Sequence, residues 1–278
     1  MKKSLLILFL LFVAFSWPVF QVKAAETAAP VKILLVPGHD DEIWGAQYGN
    51  IKEANMNLAL ATQIYNLFKN DKRFEVHITR DESGYTKEFA DYFSLHRDEI
   101  LAFKEEAKKN TQNKIDSGDF IAKDGVPHNA VAEDTAVVLY GINKWADENR
   151  VDAIIHVHFN DVPRSNIWTV GKYKGFVIYV PDAQLANSRE SGLLGAMIHN
   201  ELSKKYITST YEKEKGGLVM DQKLIAMGAN GTLLPTVRSV LVEYGYIYRF
   251  GNNTMRHKAY NTMANFTFAG IKNYFFRK

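Results

Sequence analysis

The chain has 278 residues, of which 46% are hydrophobic and 23% charged, a composition that fits one large globular domain or two small ones and excludes disordered, collagen-like and coiled-coil readings. It contains no cysteine, so thiolate metal sites, cysteine nucleophiles and a disulfide framework are excluded together, and any metal must sit on His, Asp or Glu. The formal charge of +3 belongs to the first 24 residues: Lys2, Lys3 and Lys23 are three of the 34 basic side chains and none of the 31 acidic ones lies there, which leaves 31 of each.

In those 24 residues Lys2-Lys3 precede an apolar run from Leu5 to Phe20, and Val22 and Ala24 occupy the minus three and minus one positions of a cleavage site after Ala24. This is the pattern of a secretory signal. The run is near the lower limit for spanning a bilayer, so a retained anchor is the rival reading; Pro18 and the small residues favour cleavage, with no stable membrane span afterwards. The expected location is periplasmic or extracellular. Balanced charge without a basic stripe argues against a nucleic-acid partner, and the mixed-sign runs Lys104–Lys109 and Lys204–Lys215 read as solvated faces or loops.

After a short linker over 25–30, residues 31–278 read as a single layered α/β domain, a mostly parallel twisted sheet with helices on both faces. Val31–Pro37 is the first expected strand. A helix over 51–69 follows, with Leu58, Ala61, Tyr65 and Phe68 on its apolar stripe, and then a strand at Phe74–Thr79. Residues 81–134 break the alternation and are too long for a plain loop, so they read as an insertion with its own helix near His96–Lys109 and a Gly-Val-Pro turn at 125–127, either a lid or a surface decoration. Next come a helix over 135–148 carrying Val138, Ile142 and Trp145, a strand at Ala153–His158, and another at Gly175–Val180. A helix over 189–206 with Leu194, Ile198 and Leu202, a strand at Ser239–Glu243 and a closing helix over about 255–275 complete the order. The strands are mostly continuous apolar runs, as in a sheet covered on both faces.

The residues with chemistry sit where these elements end. His39 follows the first strand through Pro37-Gly38, Glu53 opens the next helix, His158 ends Ile154-Ile155-His156-Val157-His158, and Glu243 ends the last strand. Strand carboxyl ends converge on the crevice of an open parallel α/β sheet, so groups far apart in sequence become neighbours there. Two imidazoles and one carboxylate form a ligand set that suits Zn²⁺ and leaves a fourth position for water. Attack by that water still needs a base and the departing amine still needs a proton, and Glu243 has the chemistry for both.

Val36-Pro37-Gly38-His39, Glu53 with Asn57-Leu58, Thr79-Arg80, His158-Phe159-Asn160 and Val240-Leu241-Val242-Glu243-Tyr244-Gly245-Tyr246 together resemble the successive motifs of the zinc-dependent N-acetylmuramoyl-L-alanine amidases, over about residues 31–80 and 150–278. The resemblance implies zinc on His39, Glu53 and His158, Glu243 as the catalytic carboxylate, and peptidoglycan or its muropeptides as the partner. The bond implied is the amide between N-acetylmuramic acid and L-alanine of the stem peptide. The sequence departs from the family pattern where Asp40-Asp41 replace paired glycines, where Phe159 replaces a small residue, and in the insertion.

Two other readings stay open. His39 and Glu42 form a His-x-x-Glu pair as in zinc carboxypeptidases, with His158 and Glu243 completing that scheme, although Asn57-Leu58 favours Glu53 and a solvated loop suits Glu42. The chain could also be a wall-binding protein that keeps the fold without turnover. His156, two residues before His158 and so about 7 Å below it on the same strand face, reads either as a support for a ligand or as a hydrogen-bonded core imidazole. His77, His96, His128, His199 and His257 lack motif context and read as structural or surface residues.

Overall fold

The computed structural model of the protein describes residues 29–123, 131–223 and 231–277. The signal, residues 25–28 of the linker, the 125–127 turn and His128 lie outside the described residues. In chain order the elements are β1 (Val31–Pro37), the hairpin β2 (Gln47–Tyr48) and β3 (Ile51–Lys52), α1 (Glu53–Lys69), β4 (Phe74–Ile78), the hairpin β5 (Arg80–Asp81) and β6 (Gly84–Tyr85), α2 (Lys87–Leu95), α3 (Arg97–Asp116) and α4 (Glu133–Glu148). They continue with β7 (Ala153–Asn160), β8 (Val177–Pro181), α5 (Ser188–Leu202), β9 (Leu218–Asp221), β10 (Arg238–Tyr246) and α6 (Asn253–Phe276). Among the described residues, no helix is long and apolar enough to cross a membrane.

The main sheet has six strands in the order β4-β1-β7-β10-β8-β9. β4, β1, β7 and β10 run parallel, and β8 lies antiparallel to β10 and carries β9 alongside it in parallel. The sheet is therefore mixed but mostly parallel, as expected for α/β units closed by helical crossovers. Alternation along the strands sorts side chains onto two faces. Ile33, Leu35, Ile155, Val157, Val240 and Val242 join a core with α1, α5 and α6, through Leu60, Ile64, Ile198 and Met263 among others. Leu34, Val36 and Ile154 join a second core with α2, α3 and α4, through Phe89, Phe93, Ile100, Tyr140 and Trp145.

The expected insertion is thus built into the domain: Phe89, Phe93 and Ile100 are buried against α4 and the sheet. Burying side chains of this size contributes roughly 1.5–3 kcal/mol each, so the segment helps hold the second face of the sheet. The apolar stripe of α1 also differs from expectation. Met56, Leu60, Ala61, Ile64 and Phe68 form it, so Ala61 and Phe68 lie where expected, while Leu58 and Tyr65 are only half-buried.

Candidate metal centre

Gly38 directly follows β1 at a point where any larger residue would collide with the site. A Cβ there would fall 2.0 Å from the His158 ring, so the ring packs directly against the glycine backbone. His39 follows with φ of +62°, a left-handed conformation that is uncommon outside glycine and turns the imidazole toward α1. The geometry is held from below by Arg80, a buried residue whose guanidinium donates to the carbonyls of Pro37 (3.4 Å), Gly38 (3.3 Å) and Ala54 (2.6 Å), tying the end of β1 to the first turn of α1.

Glu53 is the first residue of α1 and is buried. One carboxylate oxygen accepts from the Ala46 N–H at 2.9 Å and lies 3.3 Å from His39 Nε2; the other lies 3.0 Å from His158 Nδ1 and accepts from Asn57 Nδ2 at 3.2 Å and the Phe159 N–H at 3.3 Å. Asn57 also donates to the Gly38 carbonyl at 2.9 Å, which explains why an asparagine one turn after Glu53 accompanies it. Burial alone would raise the Glu53 pKa, but hydrogen bonds and charge from His158 and His39 outweigh it and hold the carboxyl well below the usual carboxylate range. The two imidazole rings meet edge to face at 5.1 Å. One donor atom from each of His39, Glu53 and His158 lies within 4.8 Å of the others, so this group can bind a metal ion.

His158 and Glu243 are register partners on the parallel strands β7 and β10, so both side chains project from one face of the sheet. Glu243 Oε2 is buried and makes no hydrogen bond. Burial, then the negative charges of Glu53 and Glu214, push its pKa well above the ordinary value, toward the range in which a carboxyl can exchange a proton. Arg238 does not pair with it; that guanidinium lies 4.0 Å from Asp152 and donates to Tyr274 Oη at 3.0 Å. His156 lies two residues inward on the same face, is buried, and its Nε2 has no partner. Burial and the neighbouring His158 push its pKa down to about 3, so it stays neutral.

Glu42, the ligand of the alternative scheme, is exposed and lies outside the cluster, on a turn where its backbone N–H donates to Asp40 Oδ1. Glu214 is the residue that sequence reasoning missed. It falls in the mixed-sign run that reads as solvated, yet it is buried. Its carboxylate accepts from Asn160 Nδ2 (2.8 Å), Tyr179 Oη (2.9 Å), Tyr246 Oη (2.7 Å) and Ser209 Oγ. Asn160 and Tyr246 belong to the motifs around His158 and Glu243, and their otherwise unexplained polar ends were the available signal.

A mixed α/β sheet that brings two imidazoles and a buried carboxylate to one edge, with a second buried carboxyl on the adjoining strand, has the parts of a metal-assisted hydrolase. The chain belongs to the N-acetylmuramoyl-L-alanine amidase family, whose model matches residues 33–273. Its fold is shared with solved amidases. It is 13% identical to an N-acetylmuramoyl-L-alanine amidase from Clostridium difficile 630, with a TM-score of 0.57 and coverage of 90% of this chain and 100% of that one. It is 17% identical to the CwlD amidase of Clostridioides difficile, solved in complex with the GerS lipoprotein, with a TM-score of 0.56 and coverage of 88% and 98%. It is 13% identical to the catalytic domain of CwlV from Bacillus (Paenibacillus) polymyxa var. colistinus, with a TM-score of 0.55 and coverage of 89% and 99%. A comparison with curated proteins gives no match.

Proposed function

We propose that this protein is an exported, zinc-dependent amidase that hydrolyses the bond between N-acetylmuramic acid and L-alanine of the peptidoglycan stem peptide. The observation that carries the reading is the pairing of a compact His-Glu-His donor set with Glu243, whose Oε2 is buried without a hydrogen bond at the register position beside His158. Two neutral nitrogens and one carboxylate fit zinc better than the hard cations, which prefer all-oxygen sites. Zinc held by His39, Glu53 and His158 would polarise the amide carbonyl and acidify the attacking water.

The chain's own residues supply the rest. Ala46 N–H, Asn57 and Phe159 N–H orient the Glu53 carboxylate so that both oxygens face the two imidazoles. Glu243 takes a proton from the attacking water at a carboxylate oxygen and gives one to the departing L-alanine nitrogen. Glu214 fixes Asn160, Tyr179 and Tyr246 around that carboxyl. The exposed placement of Glu42 weighs against the carboxypeptidase arrangement.

The test is to incubate the zinc-loaded protein with purified muropeptides and identify the products by mass spectrometry. Release of an intact stem peptide with a free L-alanine amine is the expected result. Loss of single C-terminal residues would support the peptidase instead, and binding without any product would leave a wall-binding protein.

A further inference from the structure

Beside the metal-binding group the structure has a cavity of about 520 Å³ that the chemistry above does not use. Gly45 and Ala46 form its inner wall. Both touch the cluster: the Ala46 N–H bonds Glu53, and a Cβ on Gly45 would meet the His39 ring at 2.4 Å and Glu53 Oε2 at 2.5 Å. The outer wall is the loop after β7, with Asp161, Arg164 and Asn166. The cavity therefore adjoins the His39 and Glu53 side of the cluster, and its volume is that of a small-ligand site.

Its charges are spent internally. Arg164 grips Asp161 with two bonds, at 2.9 and 2.7 Å, and directs its remaining donors at carbonyls of Gln47 (2.6 Å), Ile167 (3.1 Å), Thr169 (2.9 Å) and Asn166 (3.4 Å). Asp161 and Arg164 are the charged side chains of the lining, and neither is left for a ligand. The lining keeps neutral polar groups open, namely Gln47 Oε1 and Asn166 Nδ2, which have no hydrogen-bond partner among the described residues.

Two exposed indoles adjoin the two walls. Trp44 precedes Gly45 and is held by the Lys52 ammonium 4.0 Å over its ring, while Trp168 follows Ile167 and stands over Gly49, where a Cβ would come within 2.4 Å of the ring. Trp168 is 63% exposed although its position is fixed. Flat apolar faces beside neutral polar groups match the C–H faces and hydroxyl edges of a sugar.

Resting on the amidase reading of the adjoining site, we propose that this cavity and the Trp44 and Trp168 faces bind the glycan side of the substrate, as uncharged β-1,4-linked N-acetylated sugars. The experiment titrates the β-1,4-linked tetramer of N-acetylglucosamine into the wild-type protein, Trp44→Ala, Trp168→Ala and His158→Ala, reading binding by calorimetry and by indole fluorescence. Trp145 is buried, so the exposed indoles dominate the fluorescence change. The expected result is saturable binding that weakens about tenfold in each Trp variant, the scale of one lost aromatic contact, and persists in His158→Ala. Absence of binding to the wild type, or equal binding by the Trp variants, overturns the proposal. So does Trp168-dependent binding of the free stem peptide or of phosphatidylglycerol vesicles in place of the sugar. If the sugar binds as expected but muropeptides are not cleaved at the muramic acid amide, the function falls while the subsite stands.

Discussion

His158 and Glu243 stand side by side on neighbouring parallel strands, so a donor atom for a cation and a buried carboxyl share one sheet face at the same level. Their proximity is fixed by strand register and survives side-chain substitution. Replacing Glu243 by Gln keeps shape and burial but removes the group that accepts and returns a proton. Turnover should fall about a hundredfold or more, with zinc content and melting temperature nearly unchanged. Measuring all three on one preparation checks this; normal turnover in a folded, zinc-replete variant would end the proposed role.

Metal content across single alanine variants tests the ligand set. His39→Ala, Glu53→Ala and His158→Ala should each lose bound zinc on dialysis, whereas Glu42→Ala should retain it, because Glu42 is exposed and outside the cluster. The opposite behaviour of the two glutamates would restore the carboxypeptidase scheme.

Gly38 supports the same site without any ligand atom. Gly38→Ala inserts a methyl 2.0 Å from the His158 ring, which must move, and zinc affinity should drop about tenfold or more. Gly192→Ala is the contrasting change: it lies inside α5 with nothing within 4 Å of the added carbon, so it should raise stability by up to about 1 kcal/mol and leave zinc affinity alone. Competition with a fluorescent chelator and denaturant titration separate the two effects.

Asp147 on α4 gives a pH signature far from the site. Burial outweighs the opposing Leu234 hydrogen bond and, with a smaller contribution from the Glu148 charge, raises its pKa from 3.8 to about 6. The folded chain therefore holds this proton more tightly than the unfolded one, so the stability it provides is present below about pH 4 and is lost as pH rises through 6. Asp147→Asn, which keeps the acceptor for the Leu234 N–H, should be more stable than wild type at pH 7.5 and indistinguishable from it near pH 4. Denaturant midpoints across that range provide the check; a pH-independent difference would contradict it.

The convergence of His39, Glu53, His158 and Glu243 was legible in the sequence because each sits at or beside an element end set by a strong local pattern: a continuous apolar strand, or an acidic residue opening an amphipathic helix. The four parallel strands were legible for the same reason. The direction of β8 was not, since pairing sense depends on the path of the connection and not on the residues of the strand. β9 has four residues and its Met220 is exposed, too weak a pattern to register. α2 was hidden in a segment whose charges mask the paired Phe89 and Phe93. Glu214 was missed because a carboxylate between lysines looks solvated, and only the tertiary arrangement shows four donors around it.

The position of β10 has a consequence for how the polypeptide comes together. It is inserted between β7 and β8, although more than fifty residues separate the end of β8 from its first residue. A nascent chain that has reached residue 237 already carries all three donor residues, yet the inner edges of β7 and β8 are open, with Ile155, Val157, Ile178 and Val180 beside unpaired backbone groups. The strand that closes this gap is the one that delivers Glu243. Completion of the sheet and completion of the proposed reactive centre are therefore a single late event, one that a fragment ending before Arg238 cannot reach.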